Sequence, residues 1–120
     1  MTPSLRRWAG WMAAALAGLL LAAPSAAAPV RTENAQAELV ADVASVAPGE
    51  PFHVALKLTP REHWHTYWRN PGDSGLATSL EWTLPPGFTA GGIDWPAPKA
   101  LPFGPLTNYG FDAEHWLLVT

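Results

Sequence analysis

The sequence predicts an all-β domain built as an antiparallel β-sandwich, and three observations predict it. Apolar residues alternate with polar ones in short runs, at Leu39, Ala41 and Val43, at Phe52, Val54, Leu56 and Leu58, and at Leu80, Trp82 and Leu84; this is the period of a strand with one drier face. Breakers punctuate the runs at near-regular spacing, with 13 Pro and 10 Gly in 120 residues, as in sandwiches of short strands. Beyond the Ala-rich start there is no amphipathic helical window, no repeat and no low-complexity tract.

Composition narrows the function classes. Seven Lys+Arg against ten Asp+Glu give a net charge of −3, with no basic run outside the extreme N-terminus, which argues against a nucleic-acid partner. Apolar residues make up 48% of the chain, enough for one globular domain and no more.

Residues 1–27 read as a signal peptide. Arg6 and Arg7 form a positive start, Trp8 to Ala23 an apolar run, and Pro24-Ser25-Ala26-Ala27-Ala28 the small residues that a signal peptidase reads. The cut is placed after Ala27, because one residue later Pro29 would follow the scissile bond with a fixed φ and no N–H. A membrane anchor is the competing reading, but the 16 residues from Trp8 to Ala23 fall short of the roughly 20 that a spanning helix needs. Ser4-Leu5-Arg6-Arg7-Trp8-Ala9 lacks the twin-arginine pattern, so the general secretory route to the periplasm is expected. The chain contains no Cys. It therefore has no disulfide, nucleophilic thiol or thiolate metal site, although the expected compartment permits disulfides. A mature piece of about 90 residues would rely on its core alone, burying roughly 60 to 65% of its unfolded surface.

Residues 28–37 read as a flexible polar leader and residues 38–120 as the domain. A first strand runs through Leu39 to Val43, and Ala47-Pro48-Gly49-Glu50-Pro51 turns the chain. Phe52 to Leu58 is the cleanest strand; Thr59-Pro60-Arg61-Glu62 then breaks the ladder. The densest stretch follows, His63-Trp64-His65-Thr66-Tyr67-Trp68-Arg69, closed by Asn70-Pro71-Gly72-Asp73-Ser74-Gly75. If it is extended from His63, His65 and Tyr67 share one face with His63, while Trp64 and Trp68 share the other and enter the core. Ser79 to Leu84 predicts another strand, Ile93 to Trp95 a short one, and Pro96 to Pro105 an irregular loop. His115 to Thr120 begins a strand with the apolar weight of a central one and then ends without a blunting residue. That ending leads us to expect a domain truncated at its C-terminus.

Several chemistries are weighed on these residues. His63 and His65, with His53 or His115, would make a copper or zinc site, but their spacing follows no ligand motif, and half-exposed strand histidines are the plainer reading. Trp64, Tyr67, Trp68, Trp82 and Trp95 would suit stacking on sugar rings; alternating aromatics on strands more often form a core. Asp73, Ser74 and His65 would make a hydrolase set, yet no nucleophile elbow is present. Arg69 and Asp73 are expected to pair across the turn, worth about 0 to 1 kcal/mol if exposed. No catalytic residue, metal or cofactor is assigned.

A family resemblance rests on four blocks. Trp64 to Gly75, Leu80-Glu81-Trp82, Trp95-Pro96-Ala97-Pro98 and Asn108-Tyr109-Gly110-Phe111 resemble the N-terminal periplasmic domain of DsbD/ScsB-type thiol:disulfide interchange proteins, a protein-disulfide reductase and cytochrome c biogenesis family. The resemblance covers about Glu38 to Thr120. It implies an immunoglobulin-like sandwich that receives reducing equivalents through a membrane-embedded domain and a thioredoxin-like domain of the parent system, and passes them to periplasmic thiol proteins. It also implies a reactive Cys pair on a sandwich edge, shielded by a short aromatic cap. By position Leu106 to Phe111 resembles that cap, with Asn108, Tyr109, Gly110 and Phe111 as its residues and Tyr109 as the shielding ring. His65, Tyr67 and Arg69 would line the partner-facing edge. The family's Cys pair would lie a strand or two beyond Thr120. Contact with a membrane would come only through a C-terminal domain that this sequence does not contain. This cysteine-free chain is thus not expected to act as a reductase alone, and a non-catalytic periplasmic binding module for protein, metal or carbohydrate stands as the alternative.

Overall fold

The structure, a computed structural model, describes residues 27–120. The signal-peptide reading therefore lies outside the described residues, apart from Ala27. Eight strands form: β1 (Val30–Arg31), β2 (Ala35–Ala41), β3 (Val54–Pro60), β4 (Thr66–Gly72), β5 (Ile93–Asp94), β6 (Lys99–Phe103), β7 (Leu106–Phe111) and β8 (His115–Val119). They pair antiparallel into a five-stranded sheet, β1-β2-β3-β8-β5, and a three-stranded sheet, β4-β7-β6. The fold is all-β, with no helix among the described residues; it is the antiparallel sandwich that the residue pattern predicts and is consistent with the immunoglobulin-like class that the family resemblance implies.

Register explains the core. Leu39, Leu56 and Leu117 lie opposite one another on β2, β3 and β8, as do Ala37, Leu58 and His115 in the next inward row. Strand β8 buries His115, Leu117 and Val119 and exposes Trp116 and Leu118, a clean alternation across a central strand. Leu117 is fully buried, which is worth about 1.5–3 kcal/mol. On the outer face Glu38, Lys57 and Trp116 form a cross-strand row. The Lys57 ammonium lies 3.7 Å from Glu38, 3.8 Å from Glu114 and 5.6 Å from the centre of the Trp116 ring.

Four segments differ from their sequence reading. The leader is not featureless: Val30 and Arg31 pair with Ala37 and Gln36, because Thr32 bonds Ala35 through both its amide (2.8 Å) and its hydroxyl (3.0 Å) and closes a tight turn. The strand of the aromatic stretch begins at Thr66 rather than His63. His63 has a φ of 69°, the left-handed region that a bulky residue adopts only in turns, and the Trp64 amide bonds the Arg61 carbonyl at 2.9 Å. Trp64 is consequently 49% exposed instead of in the core. Ser79 to Leu84 alternates as a strand should but finds no ladder, and Trp82 and Leu84 are exposed. Pro96 to Pro105, read as a loop, contains β6, an edge strand on which Pro102 is tolerated.

Candidate functional site

The site is built around β7, the middle strand of the smaller sheet. Two clamps hold it. At its start the Asp73 carboxylate accepts from the Thr107 amide at 2.8 Å, while the Asp73 amide donates to the Thr107 carbonyl at 3.1 Å. Asn108, only 3% exposed, accepts from both the amide and the hydroxyl of Ser74, each at 3.0 Å. The turn of the aromatic stretch is thus tied to β7 by two consecutive residues on each side. At the other end Gly110 lies against the Thr66 carbonyl, where any Cβ would collide with backbone. Between the clamps sits Tyr109, 38% exposed.

The β4 side of this sheet is irregular. Tyr67 pairs with Gly110 and Gly72 with Asn108, so five steps along β4 answer two along β7 and the intervening residues bulge. Within the bulge the Arg69 guanidinium stacks 4.9 Å from the centre of the Trp68 ring. The expected Arg69–Asp73 ion pair does not form, since Asp73 is engaged by Thr107. The Tyr67 ring packs where a Cβ on Gly75 would stand, and His65 meets it edge-on at 5.0 Å. The indole N–H of Trp68 and Nε2 of His65 are buried without a partner.

His115 joins the two sheets, a role that its sequence reading as a spare metal ligand missed. Its ring is 7% exposed, stacks on Phe111 at 4.3 Å, donates from Nδ1 to the Ala113 carbonyl at 2.9 Å, and accepts at Nε2 from the Thr66 hydroxyl at 2.9 Å. A carbonyl can only accept, which fixes the proton on Nδ1 and leaves Nε2 as acceptor. Burial pushes its pKa below the usual 6.5. The sequence signal that could have found it was its place at the head of an alternating run, facing inward with Leu117.

The four histidines are dispersed. His53 bonds Asp42 at 2.9 Å, holding that carboxyl below the usual carboxylate range, and His63 lies beside Glu62 in solvent. Among the described residues no group of three His, Cys, Asp or Glu is placed to hold a metal. Ser74 spends its hydroxyl on Asn108 and Asp73 its carboxylate on Thr107, so the pair forms no hydrolase constellation with His65. Lys99 bonds Asp112 at 2.8 Å beside β7 and lowers that carboxyl's pKa. A cleft of about 640 Å³ lies elsewhere, lined by apolar side chains that include Phe52, Trp82, Leu84 and Phe88.

The cap residues of the sequence reading all lie on β7. Asn108, Gly110 and Phe111 are buried and Tyr109 presents its ring. Of the edge residues, His65 and Tyr67 are half-buried and Arg69 is exposed; Tyr67 and Arg69 stand on β4 and His65 directly precedes it.

A family model described as the N-terminal domain of the thiol:disulfide interchange protein DsbD matches residues 31–120. The chain belongs to this family. The match takes in the whole signature turn, both clamps and the strand that carries Tyr109, so the DsbD N-terminal frame spans both sheets. No curated protein and no solved structure matches the chain. The 120 residues contain no cysteine, so this stretch of the DsbD-type domain offers no sulfur nucleophile.

Proposed function

We propose that the chain is the N-terminal part of an exported thiol:disulfide interchange protein that works in the periplasm. In this reading the domain receives reducing equivalents from a membrane electron-transfer domain by way of a thioredoxin-like domain, and delivers them to periplasmic thiol proteins. The supporting observation is the family match across residues 31–120.

The redox pair is then supplied by sequence that follows Thr120. One thiolate of the pair attacks a sulfur of the partner's disulfide, which forms a mixed disulfide and expels the partner's other sulfur as a thiolate. The second thiolate resolves the mixed disulfide, leaving the domain oxidised and the partner reduced by two electrons, with protons exchanged with water. The residues present serve that step without sulfur chemistry: Tyr109 shields the pair, and His65, Tyr67 and Arg69 face the partner.

The reading frame beyond Thr120 tests this. A Cys pair within the next few dozen residues is expected. Its absence would overturn the reductase reading and leave the chain as a non-catalytic periplasmic binding module. Export is checked separately by N-terminal sequencing of the periplasmic product, which should begin at Ala28.

A further inference from the structure

We infer that the Pro71–Gly75 turn is a positioning element for the Tyr109 ring, with Gly72 as its seat and Asp73 as its lock. Gly72 has a φ of +86°, and a Cβ there would stand 3.2 Å from the Tyr109 ring and 3.1 Å from the Asn108 Cα, as well as against the Thr107 carbonyl. The ring thus rests beside a residue that lacks a side chain. Asp73 and Ser74, immediately after the seat, bond Thr107 and Asn108, immediately before the ring. An exposed aromatic is ordinarily free to sample rotamers and to carry its backbone with it. Here the backbone on both sides of Tyr109 is held, by the turn before it and by Gly110 against Thr66 after it.

Two consequences follow. The ring can uncover a neighbouring site only by rotating its own side chain, because the strand beneath it is fixed. The Trp64 to Gly75 block acts through Tyr109. The functional meaning of this seat rests on the shielding role proposed for Tyr109 above; the seat itself does not.

The test uses tyrosine nitration by tetranitromethane on the chain itself, mapped by peptide mass spectrometry. The sequence has two Tyr, and Tyr67, packed at Gly75, serves as the internal reference. Asp73→Ala removes the charge-assisted bond to Thr107 and should raise the Tyr109 nitration rate about threefold or more relative to Tyr67, the size expected for local opening when one such bond is lost. Asp73→Asn keeps an acceptor oxygen and should restore most of the protection, as a purely electrostatic role would not. Gly72→Ala should raise Tyr109 reactivity further. An unchanged Tyr109 rate in Asp73→Ala, or a parallel rise at both rings, overturns the inference. Because the chain is cysteine-free, the outcome is independent of whether a redox pair follows Thr120, so failure here and failure of the reductase reading remain distinguishable.

Discussion

The Thr66 hydroxyl on β4 donates to Nε2 of His115 on β8 across 2.9 Å and so links the two sheets through a side-chain hydrogen bond. Phe111, which lies opposite Thr66 in the β4–β7 register, stacks on the same imidazole. Three strands therefore meet at one neutral ring, and both of its nitrogens are satisfied.

Acid should loosen this joint. Burial depresses the folded-state pKa of His115 below 6.5, so the unfolded chain takes up this proton first as pH falls. The stability it confers is complete above the unfolded value near 6.5 and is lost as pH drops through the folded value. The melting temperature should decline between about pH 7.5 and 5, and His115→Gln, which has no proton to take up, should show a shallower decline. Thermal melts across that range check it; equal slopes in the two proteins would count against the assignment. The depressed carboxyls of Asp42 and Asp112 act in a separate window, below their usual 3.8.

Asn108→Ala should destabilise the chain by about 1–3 kcal/mol, because a buried acceptor that satisfies two donors of Ser74 is removed. Ser74→Ala deletes only the hydroxyl donor and should cost less, about 0.5–1.5 kcal/mol. Urea unfolding of the two variants gives the comparison, and a Ser74 variant as damaged as the Asn108 one would show that the clamp is not centred on Asn108.

Arg69 is exposed yet stacked on Trp68. Its truncation to Ala should cost about 0.5–1 kcal/mol, the range of an exposed cation–π contact. If the stack were instead an electrostatic contact with Asp73, the double variant with Asp73→Ala would show coupling; additivity of the two in denaturant unfolding is expected.

Periodicity made the strands legible where the chain lies in the larger sheet. Phe52 to Leu58 foreshadows β3, Leu39 to Val43 overlaps β2, and the run from His115 is β8, central as its apolar weight implied. The smaller sheet was harder to read because its pattern is set by close approach and not by alternation. Strand β7 places Asn108 and Gly110 where propensity would place a loop, since one binds a turn and the other admits a backbone. Strand β6 hides among prolines that only an edge tolerates. Conversely, Ser79 to Leu84 has the right alternation and no partner among the described strands; alternation reports a face, and pairing needs a neighbour. At the site, the Trp64 to Gly75 block was visible as a signature, whereas its attachment to Thr107 and Asn108, 34 residues on, leaves no trace in local pattern.

Gly110 and Gly92 separate these two kinds of information. Neither has a left-handed φ, and their surroundings differ: a Cβ on Gly110 would collide with the Thr66 carbonyl, whereas one on Gly92 would meet nothing within 4 Å. Gly110→Ala must therefore push β4 away from β7, which strains the Thr66↔Phe111 pair and with it the bond from Thr66 to His115. A cost of about 1–3 kcal/mol is expected for overpacking, against a change within about 0.5 kcal/mol for Gly92→Ala. The acid sensitivity traced to His115 should also weaken in Gly110→Ala, because the imidazole loses its hydroxyl partner and part of its burial together. Melts of both glycine variants at neutral and mildly acidic pH measure the two effects in one series, and a Gly110 variant as stable as the Gly92 one would show that the smaller sheet does not depend on this close approach.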